Sequence, residues 1–214
     1  MSAEQANSSP ALLYFGDPMC SWCYGFAPVL RRVHEAYADL PVVCVLGGLR
    51  PGPRAQILEE RLGRFLRQEW AKISEVTGQP FGLGILEREG FLYNTEPASR
   101  AVVIFRRSRP RDALFFFESL QNAFYKDSRD ITDPVTLADL YAASEAGTAA
   151  EFMNAWTRED VRQETQADFQ FSAHVGMTAF PSLVYARHGK GQLLCRGYAA
   201  FDELCARIDL LRGE

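Results

Sequence analysis

The sequence predicts an α/β protein in which a block of helices interrupts a single sheet. Three observations support this fold class. The chain begins with a strand–helix–strand pattern, ends with a strand–strand–helix pattern, and has mostly helical periodicity over the segment 51–176 between them. Because a helix that connects two neighbouring strands packs on their sheet, the first pattern favours parallel pairing of its strands.

The first strand, helix and strand follow one another within the opening segment. Residues 12–15 form a short apolar run of the length of a buried strand, and a Gly-Asp-Pro turn at 16–18 ends it. From residue 20 to about residue 37, apolar side chains recur every three or four positions, which predicts a helix. The β-branched run 42–46 is followed by two glycines and predicts a second buried strand.

The middle segment is predicted to be helical, with no clear strand. Five apolar residues at helical spacing predict the buried face of one helix: Leu58, Leu62, Phe65, Leu66 and Ile73. Helix starts are expected at Thr95 and at Asp133, each shortly before a proline. A further start is expected at Thr157, because residues 157–160 have the N-capping pattern.

The end of the chain returns to strands. Residues 180–185 predict a strand entered through a proline, 187–191 a turn, and 192–196 the second arm of a hairpin. The final helix carries one apolar stripe, made of Phe201, Leu204, Cys205, Ile208 and Leu211. These patterns predict a discontinuous domain of residues 10–50 and 177–214, and an inserted helical domain of residues 51–176.

Composition and charge exclude several classes of function. There are 23 Lys and Arg against 27 Asp and Glu, a net charge of −4, which argues against nucleic acid or a membrane surface as a partner. Residues 1–10 lack the basic start and apolar run of a secretory signal, and no apolar run approaches the roughly 18 residues that span a bilayer. We therefore expect a cytoplasmic protein, whose five cysteines form no structural disulfide framework in that reducing compartment.

Two of the five cysteines have the spacing of a redox pair. Cys20 and Cys23 follow the first strand directly, at the predicted start of the first helix. Residues three apart on a helix share a face, so the two sulfurs can come close enough to bond. The positive end of the helix dipole favours a thiolate, so we expect a lowered pKa at Cys20. Cys20 would then attack disulfides, and Cys23, one turn further in, would resolve the product.

Two structural alternatives to a redox pair are a zinc site and a pair of unreactive core thiols. Structural zinc usually needs a second Cys or His pair. The remaining cysteines and all the histidines are isolated in the sequence: Cys44, Cys195, Cys205, His34, His174 and His188. The strand–helix–strand context favours the redox interpretation. Cys44 and Cys205 are predicted to be small core residues, and a packing role is favoured for Cys195.

The motifs around this pair resemble those of a known family. The segment 17–28 reads Asp-Pro-Met-Cys-Ser-Trp-Cys-Tyr-Gly-Phe-Ala-Pro, with a proline eight residues after the first cysteine. Residues 178–182, 94–97 and 130–134 add the motifs Thr-Ala-Phe-Pro-Ser, Asn-Thr-Glu-Pro and Asp-Ile-Thr-Asp-Pro. Together they resemble the DsbA family of the thioredoxin superfamily, and most closely the bacterial FrnE-like branch of cytoplasmic protein-disulfide isomerases. The resemblance covers nearly the whole chain.

The resemblance implies a thioredoxin-like fold with a large helical insertion and roles for individual residues. Cys20 would form a mixed disulfide with a substrate, and Cys23 would resolve it. A cis peptide bond would precede Pro181, and the backbone of Phe180 would hydrogen-bond an extended substrate. The first-turn residues Ser21 and Trp22 would tune the redox potential.

The resemblance also implies the partners of the reaction. Substrates would be protein or peptide thiols and disulfides, and glutathione or a thioredoxin-type partner would recycle the pair. No metal and no organic cofactor would be required, although glutathione is a candidate reductant or co-substrate.

The chain departs from the family pattern at one position. Thioredoxins and many DsbA-like proteins have a buried acid six residues before the first cysteine, and this chain has Tyr14 there. A buried carboxylate can accept the proton of the resolving thiol. Without it, Asp17 or a water molecule is the candidate proton acceptor for Cys23.

Two other functions stay open on the sequence alone. One is a glutathione-dependent transferase or isomerase of the related kappa class, which has a similar scaffold but typically uses a serine or a lone cysteine. The presence of Cys23 argues against this function. The other is a redox-sensing adaptor that binds a partner protein through its helical domain.

Overall fold

The structure is a computed structural model, and it describes residues 9–213. The prediction that no secretory signal is present rests on residues 1–10, of which residues 1–8 lie outside the described residues. Within the described range, none of the helices has both the length and the apolar composition needed to cross a membrane.

The described chain contains six strands and eight α-helices, joined by short 3-10 and π-helical turns. In order they are β1 (Ala11–Gly16), α1 (Ser21–Ala36), β2 (Val42–Leu46), β3 (Gln56–Ile57), α2 (Glu60–Thr77), β4 (Leu92–Tyr93), α3 (Glu96–Ser108), α4 (Ala113–Gln121), α5 (Pro134–Ala143), α6 (Ala149–Trp156), α7 (Glu159–His174), β5 (Ser182–Arg187), β6 (Lys190–Arg196) and α8 (Phe201–Arg212).

The main sheet has four strands in the order β2-β1-β5-β6. Strand β1 pairs with β2 in parallel and with β5 antiparallel, and β5 pairs antiparallel with β6. All four strands come from the two ends of the chain, and α2 to α7 come from the middle. The predicted α/β architecture, including parallel pairing of the first two strands, is therefore confirmed. The domain boundaries at 50/51 and 176/177 stay a prediction.

Three local predictions need correction. The middle segment is not free of strands, because β3 pairs with β4, although two residues each are too few to show a period in the sequence. Helix α7 begins at Glu159 with Arg158 as its N-cap, so Thr157 does not cap it. Of the five residues predicted on the buried face of α2, Phe65 is exposed and Leu58 lies before the helix begins.

Strand β1 separates two apolar clusters by the alternation of its side chains. Leu12 and Tyr14 lie in the large core that includes α1, whereas Phe15 belongs to a smaller cluster with Val45 and Val184. Successive side chains of a strand point to opposite faces of its sheet, which explains this division. Tyr14 therefore lies on the side of the sheet that carries α1.

An ion network joins α3 and α7 to the edge strand β2. The Arg106 guanidinium lies 2.6 Å from an Asp168 carboxylate oxygen and 2.9 Å from one of Glu164. Arg106 also donates to the backbone carbonyl of Cys44, and the same Asp168 oxygen accepts the backbone N–H of Leu46. These bonds satisfy backbone groups of a strand that, within residues 9–213, pairs only with β1.

Candidate active site

The two cysteines lie at the start of α1 and differ in exposure. Cys20 is the N-cap residue of the helix, with an extended backbone (φ −95°, ψ 116°), and Cys23 lies in the first turn. Cys20 is 7% exposed and Cys23 is 0% exposed, and both are free thiols. Of this pair, only Cys20 has any exposed surface.

The loop before β5 lies against the Cys20 sulfur. The Cys20 thiol donates a hydrogen bond to the carbonyl oxygen of Phe180, with Sγ and oxygen 3.5 Å apart. The peptide bond between Phe180 and Pro181 is cis. The Pro181 carbonyl accepts the backbone N–H of Gly197 at 2.7 Å, and the Ser182 hydroxyl donates to the Ala179 carbonyl at 2.7 Å. The loop is thus held from both sides with a backbone carbonyl at the sulfur.

Cys23 is a buried thiol that keeps its proton at neutral pH. Burial is the main cause that raises its pKa well above the ordinary value, and its hydrogen bond with Cys20 raises it further. The neighbouring Tyr14 side chain and Asp17 backbone act on this pKa in the opposite direction. The surroundings of Cys23 thus contain two polar groups, the Tyr14 side chain and the Asp17 backbone, that favour the thiolate.

Asp17 anchors the loop between β1 and α1. Its side chain is buried, and its two carboxylate oxygens accept the backbone N–H groups of Met19 at 2.9 Å and Leu49 at 2.7 Å. Burial raises its pKa, and these bonds together with one from Thr95 oppose that shift. Among the described residues, no hydrogen bond joins the Asp17 carboxylate to either sulfur, so its role as the proton acceptor of Cys23 stays a prediction.

An aromatic pair borders the site on the side of the first helical turn. Ser21 and Trp22 are both half-buried there, and the Trp22 ring lies 6.3 Å from the ring of Tyr198, measured between centroids. The Tyr198 side chain is 37% exposed and follows Gly197, the residue that bonds to Pro181. The sequence alone does not identify Tyr198 as a site residue, because no local pattern shows that the loop after β6 returns to α1.

The other cysteines lie outside the pair. Cys44 and Cys195 are buried, and burial raises their pKa values to about 12 and about 11. Their predicted packing roles are confirmed, and Cys205 is half-buried against the same core. No group of three or more His, Cys, Asp or Glu side chains in the range 9–213 is arranged to hold a metal ion.

Comparison with known proteins places this chain among characterised structures, although no family model and no curated protein matches its sequence. A candidate protein disulfide isomerase from Nitrosomonas europaea has a TM-score of 0.88 and 31% identity, covering 96% of this chain and 98% of that one. The cytosolic disulfide reductase DsbM from Pseudomonas aeruginosa has a TM-score of 0.80 and 26% identity, covering 95% and 100%. A second structure of DsbM, with GSH, has a TM-score of 0.77 and 24% identity, with the same coverage.

Proposed function

Because this chain belongs to the DsbA family of the thioredoxin superfamily and is a thiol-disulfide oxidoreductase, we propose that Cys20 and Cys23 carry its chemistry through a mixed disulfide. Its fold is the DsbA-like fold that the sequence predicts. The observation that supports the proposal most is the asymmetry of the pair. Cys20 is reachable and bonded to the Phe180 carbonyl, whereas Cys23 is fully buried behind it.

The proposed reaction has two exchange steps. The Cys20 thiolate attacks one sulfur of a substrate disulfide, a Cys20–substrate bond forms, and the other substrate sulfur leaves as a thiolate. Cys23 then attacks the Cys20 sulfur, the mixed disulfide breaks, and the second substrate sulfur leaves with the proton that Cys23 gives up. The substrate is reduced by two electrons, and the pair is oxidised to a disulfide. The same steps in reverse oxidise a dithiol substrate.

The proposed substrates are cysteines of proteins or peptides. The Phe180 carbonyl, which bonds to Cys20 in this structure, can accept a backbone N–H of an extended chain bound at the same loop. Trp22 and Tyr198 present aromatic surface beside it, which suits the side chains of a peptide. Within this interpretation, Ser21 and Trp22 adjust the redox potential through the first-turn backbone.

Further details of the proposal rest on the relatives. An isomerase role is supported by the description of the protein from Nitrosomonas europaea as a candidate disulfide isomerase, and we propose the FrnE-like branch from the sequence motifs alone. A cytoplasmic location and a recycling role for glutathione are supported by DsbM, which is described as cytosolic and has a structure with GSH. We propose that the reaction needs thiols alone, with no metal and no organic cofactor.

Trapping of the mixed disulfide tests the mechanism. Cys23→Ser should accumulate a covalent adduct with a disulfide peptide, detected by mass, whereas Cys20→Ser should form none. Cys205→Ser, which changes a cysteine outside the site, should behave as the wild type. An adduct that persists on Cys20→Ser, or none on Cys23→Ser, would contradict the proposed roles.

The reduction potential of the pair tests the direction of the reaction. It is measured in a series of glutathione buffers, with thiol trapping and mass detection. A potential of about −180 to −120 mV would indicate an oxidase or isomerase, and about −270 mV a reductase. If no intramolecular disulfide forms at any ratio, the mechanism is wrong, and a glutathione-activating site becomes the better interpretation.

A further inference from the structure

We propose that Tyr14 is a further catalytic residue of this reaction, which donates a hydrogen bond to the Cys23 sulfur while that sulfur attacks the mixed disulfide. The inference deepens the proposed function and rests on it. Tyr14 occupies the position at which the resemblance leads us to expect a buried acid. The two groups differ in chemistry, because a carboxylate can accept a proton from Cys23, whereas a neutral phenol can only donate to it.

The alternation of β1 directs Tyr14 towards the pair. Tyr14 shares the large core with α1, while its neighbour Phe15 packs on the other side of the sheet. On α1, Cys23 and Phe26 are three residues apart and therefore share a face. The rings of Tyr14 and Phe26 lie 6.4 Å apart between centroids and are stacked. The strand face that carries Tyr14 thus meets the helix face that carries Cys23.

The hydroxyl of Tyr14 is held at the end of β1 from which the chain enters α1. A side-chain carbon added to Gly16 would lie 2.8 Å from that hydroxyl, so the phenol fits because residue 16 has no side chain. Phe117 packs edge-on against the ring at 5.5 Å between centroids, and the Tyr14 side chain is 1% exposed. In this position the Tyr14 side chain neighbours the Cys23 side chain, and each of the two groups shifts the pKa of the other.

The surroundings keep Tyr14 protonated, so that it acts as a donor. Burial, followed by the neighbouring sulfurs of Cys23, Cys20 and Cys44, raises its pKa well above 10. The groups that face Cys23 itself are Cys20, the Tyr14 hydroxyl and the backbone N–H of Asp17. The two donors stabilise negative charge on Cys23, and neither of them takes its proton.

This arrangement defines where the proton and the electron pair of Cys23 go in the second step. Cys23 loses its proton to the departing substrate thiolate, directly or through water, and its electron pair forms the bond to the Cys20 sulfur. The bond between Cys20 and the substrate breaks, and the substrate leaves as a thiol. Tyr14 keeps its proton throughout and contributes only a hydrogen bond to the charge that develops on Cys23.

The test compares Tyr14→Phe with Tyr37→Phe, and follows the two steps separately by rapid mixing and mass detection. The hydroxyl of Tyr37 bonds to Asp209 at 2.6 Å, away from the pair, so its loss is a matched control. In Tyr14→Phe we expect the pH profile of the second step to move to higher pH by about one unit or more. At a pH below the pKa of Cys23, the rate of the second step should fall about threefold for each unit by which that pKa rises. The thiolate becomes scarcer, but each thiolate is more nucleophilic. The first step should be unchanged.

A second substitution keeps the test decisive if Tyr14→Phe fails to fold. Fluorotyrosine at position 14 keeps the shape of the ring and makes the hydroxyl a stronger donor, so it should move the same profile to lower pH. A second step that is identical in wild type, Tyr14→Phe and the fluorinated protein would overturn the role of Tyr14. Failure of the wild type to form an adduct at Cys20 would overturn the proposed function instead.

Discussion

The carbonyl oxygen of Phe180 accepts a hydrogen bond from the Cys20 thiol across 3.5 Å, although 160 positions separate the two residues in the chain. The sheet explains this proximity. Phe15, near the end of β1, is paired with Ser182 at the start of β5. The chain therefore leaves β1 towards Cys20 at the same end of the sheet at which it enters β5 from Phe180. Antiparallel pairing of these two strands places a peptide carbonyl beside the reactive sulfur.

Gly47→Ala tests whether this loop must stay in position. An alanine side chain at 47 would lie 2.1 Å from the ring of Phe180, far inside van der Waals contact, so the ring must move. We expect a loss of about 1–3 kcal/mol in the free energy of unfolding, the usual cost of overpacking. We also expect a slower first exchange step, because the carbonyl of the same residue bonds to Cys20.

Gly63→Ala is the matched control for that substitution. No atom lies within 4 Å of a side chain added at Gly63 in α2, and alanine favours a helix interior by up to about 1 kcal/mol. This variant should be at least as stable as the wild type and equally active. Urea unfolding and the rate of exchange with glutathione disulfide measure both effects. Equal rates in the two variants would show that the Phe180 position does not matter.

Tyr198→Ala tests the aromatic rim of the site. The ring is 37% exposed and packs against Trp22 and, edge-on, against Phe26, so its removal should cost about 1–3 kcal/mol in the free energy of unfolding. The KM for a disulfide-bonded peptide should rise about fivefold, since one aromatic contact contributes about 1 kcal/mol. The KM for glutathione disulfide, a smaller substrate, should change less.

Leu210→Ala is the control for that rim. It removes an exposed side chain of α8 (78% exposed) that lies away from the aromatic pair. Both KM values should stay at the wild-type level in this variant. A peptide KM that responds equally to Tyr198→Ala and Leu210→Ala would exclude a specific rim.

The parts of the site that could be predicted are those with a local signal. Cys20 and Cys23 follow a strand at a helix start, and their spacing alone places them on one face. The contribution of Tyr14 could not be predicted, because it depends on which face of β1 meets α1 and on the space left by Gly16. Tyr198 reaches Trp22 only through the tertiary return of the chain after β6.

The predictions of the fold that are wrong also concern segments without a clear local signal. Strands β3 and β4 pair over two residues each, which is shorter than any detectable alternation. The capping pattern predicts the N-terminus of α7 at Thr157, whereas the capping box forms at Thr148 and Glu151, at the start of α6. Both segments satisfy the same spacing rule, and the packing of the helices decides which one is used.

Asp17→Asn tests the pH dependence that burial of this carboxyl imposes. Burial raises the pKa of Asp17 above its ordinary value of 3.8, so the folded protein holds this proton more tightly than the unfolded chain. Ionisation of Asp17 therefore lowers the free energy of unfolding as the pH rises above that value. The stability of the wild type relative to Asp17→Asn should therefore decrease as the pH rises from below 3.8 through the raised pKa of Asp17.

Asp17→Asn should also lower the free energy of unfolding by an amount that does not depend on pH. The amide of asparagine turns its NH2 towards one of the two backbone N–H donors, from Met19 or Leu49, at a cost of about 1–3 kcal/mol at every pH. Asp139→Asn, which changes an exposed carboxylate, is the control and should show neither effect. Urea unfolding across the pH range measures both, and an unchanged difference across that range would contradict the burial argument.

Arg106 and Asp168 together should stabilise the junction between the helices and β2. Both side chains are less than one-fifth exposed, and their closest atoms are 2.6 Å apart. Removal of one partner leaves the other charge poorly solvated, so Arg106→Gln and Asp168→Asn should each cost about 2–3 kcal/mol in the free energy of unfolding. Since each loss includes the same contact, the double variant should lose about 1 kcal/mol less than the sum.

Glu60→Gln breaks an exposed pair at 3.7 Å and should change stability by less than about 0.5 kcal/mol. Exchange activity per folded molecule should be unchanged in all of them, because the network lies on the edge strand and touches neither Cys20 nor Cys23. Strict additivity of the two single losses would show that Arg106 and Asp168 act independently.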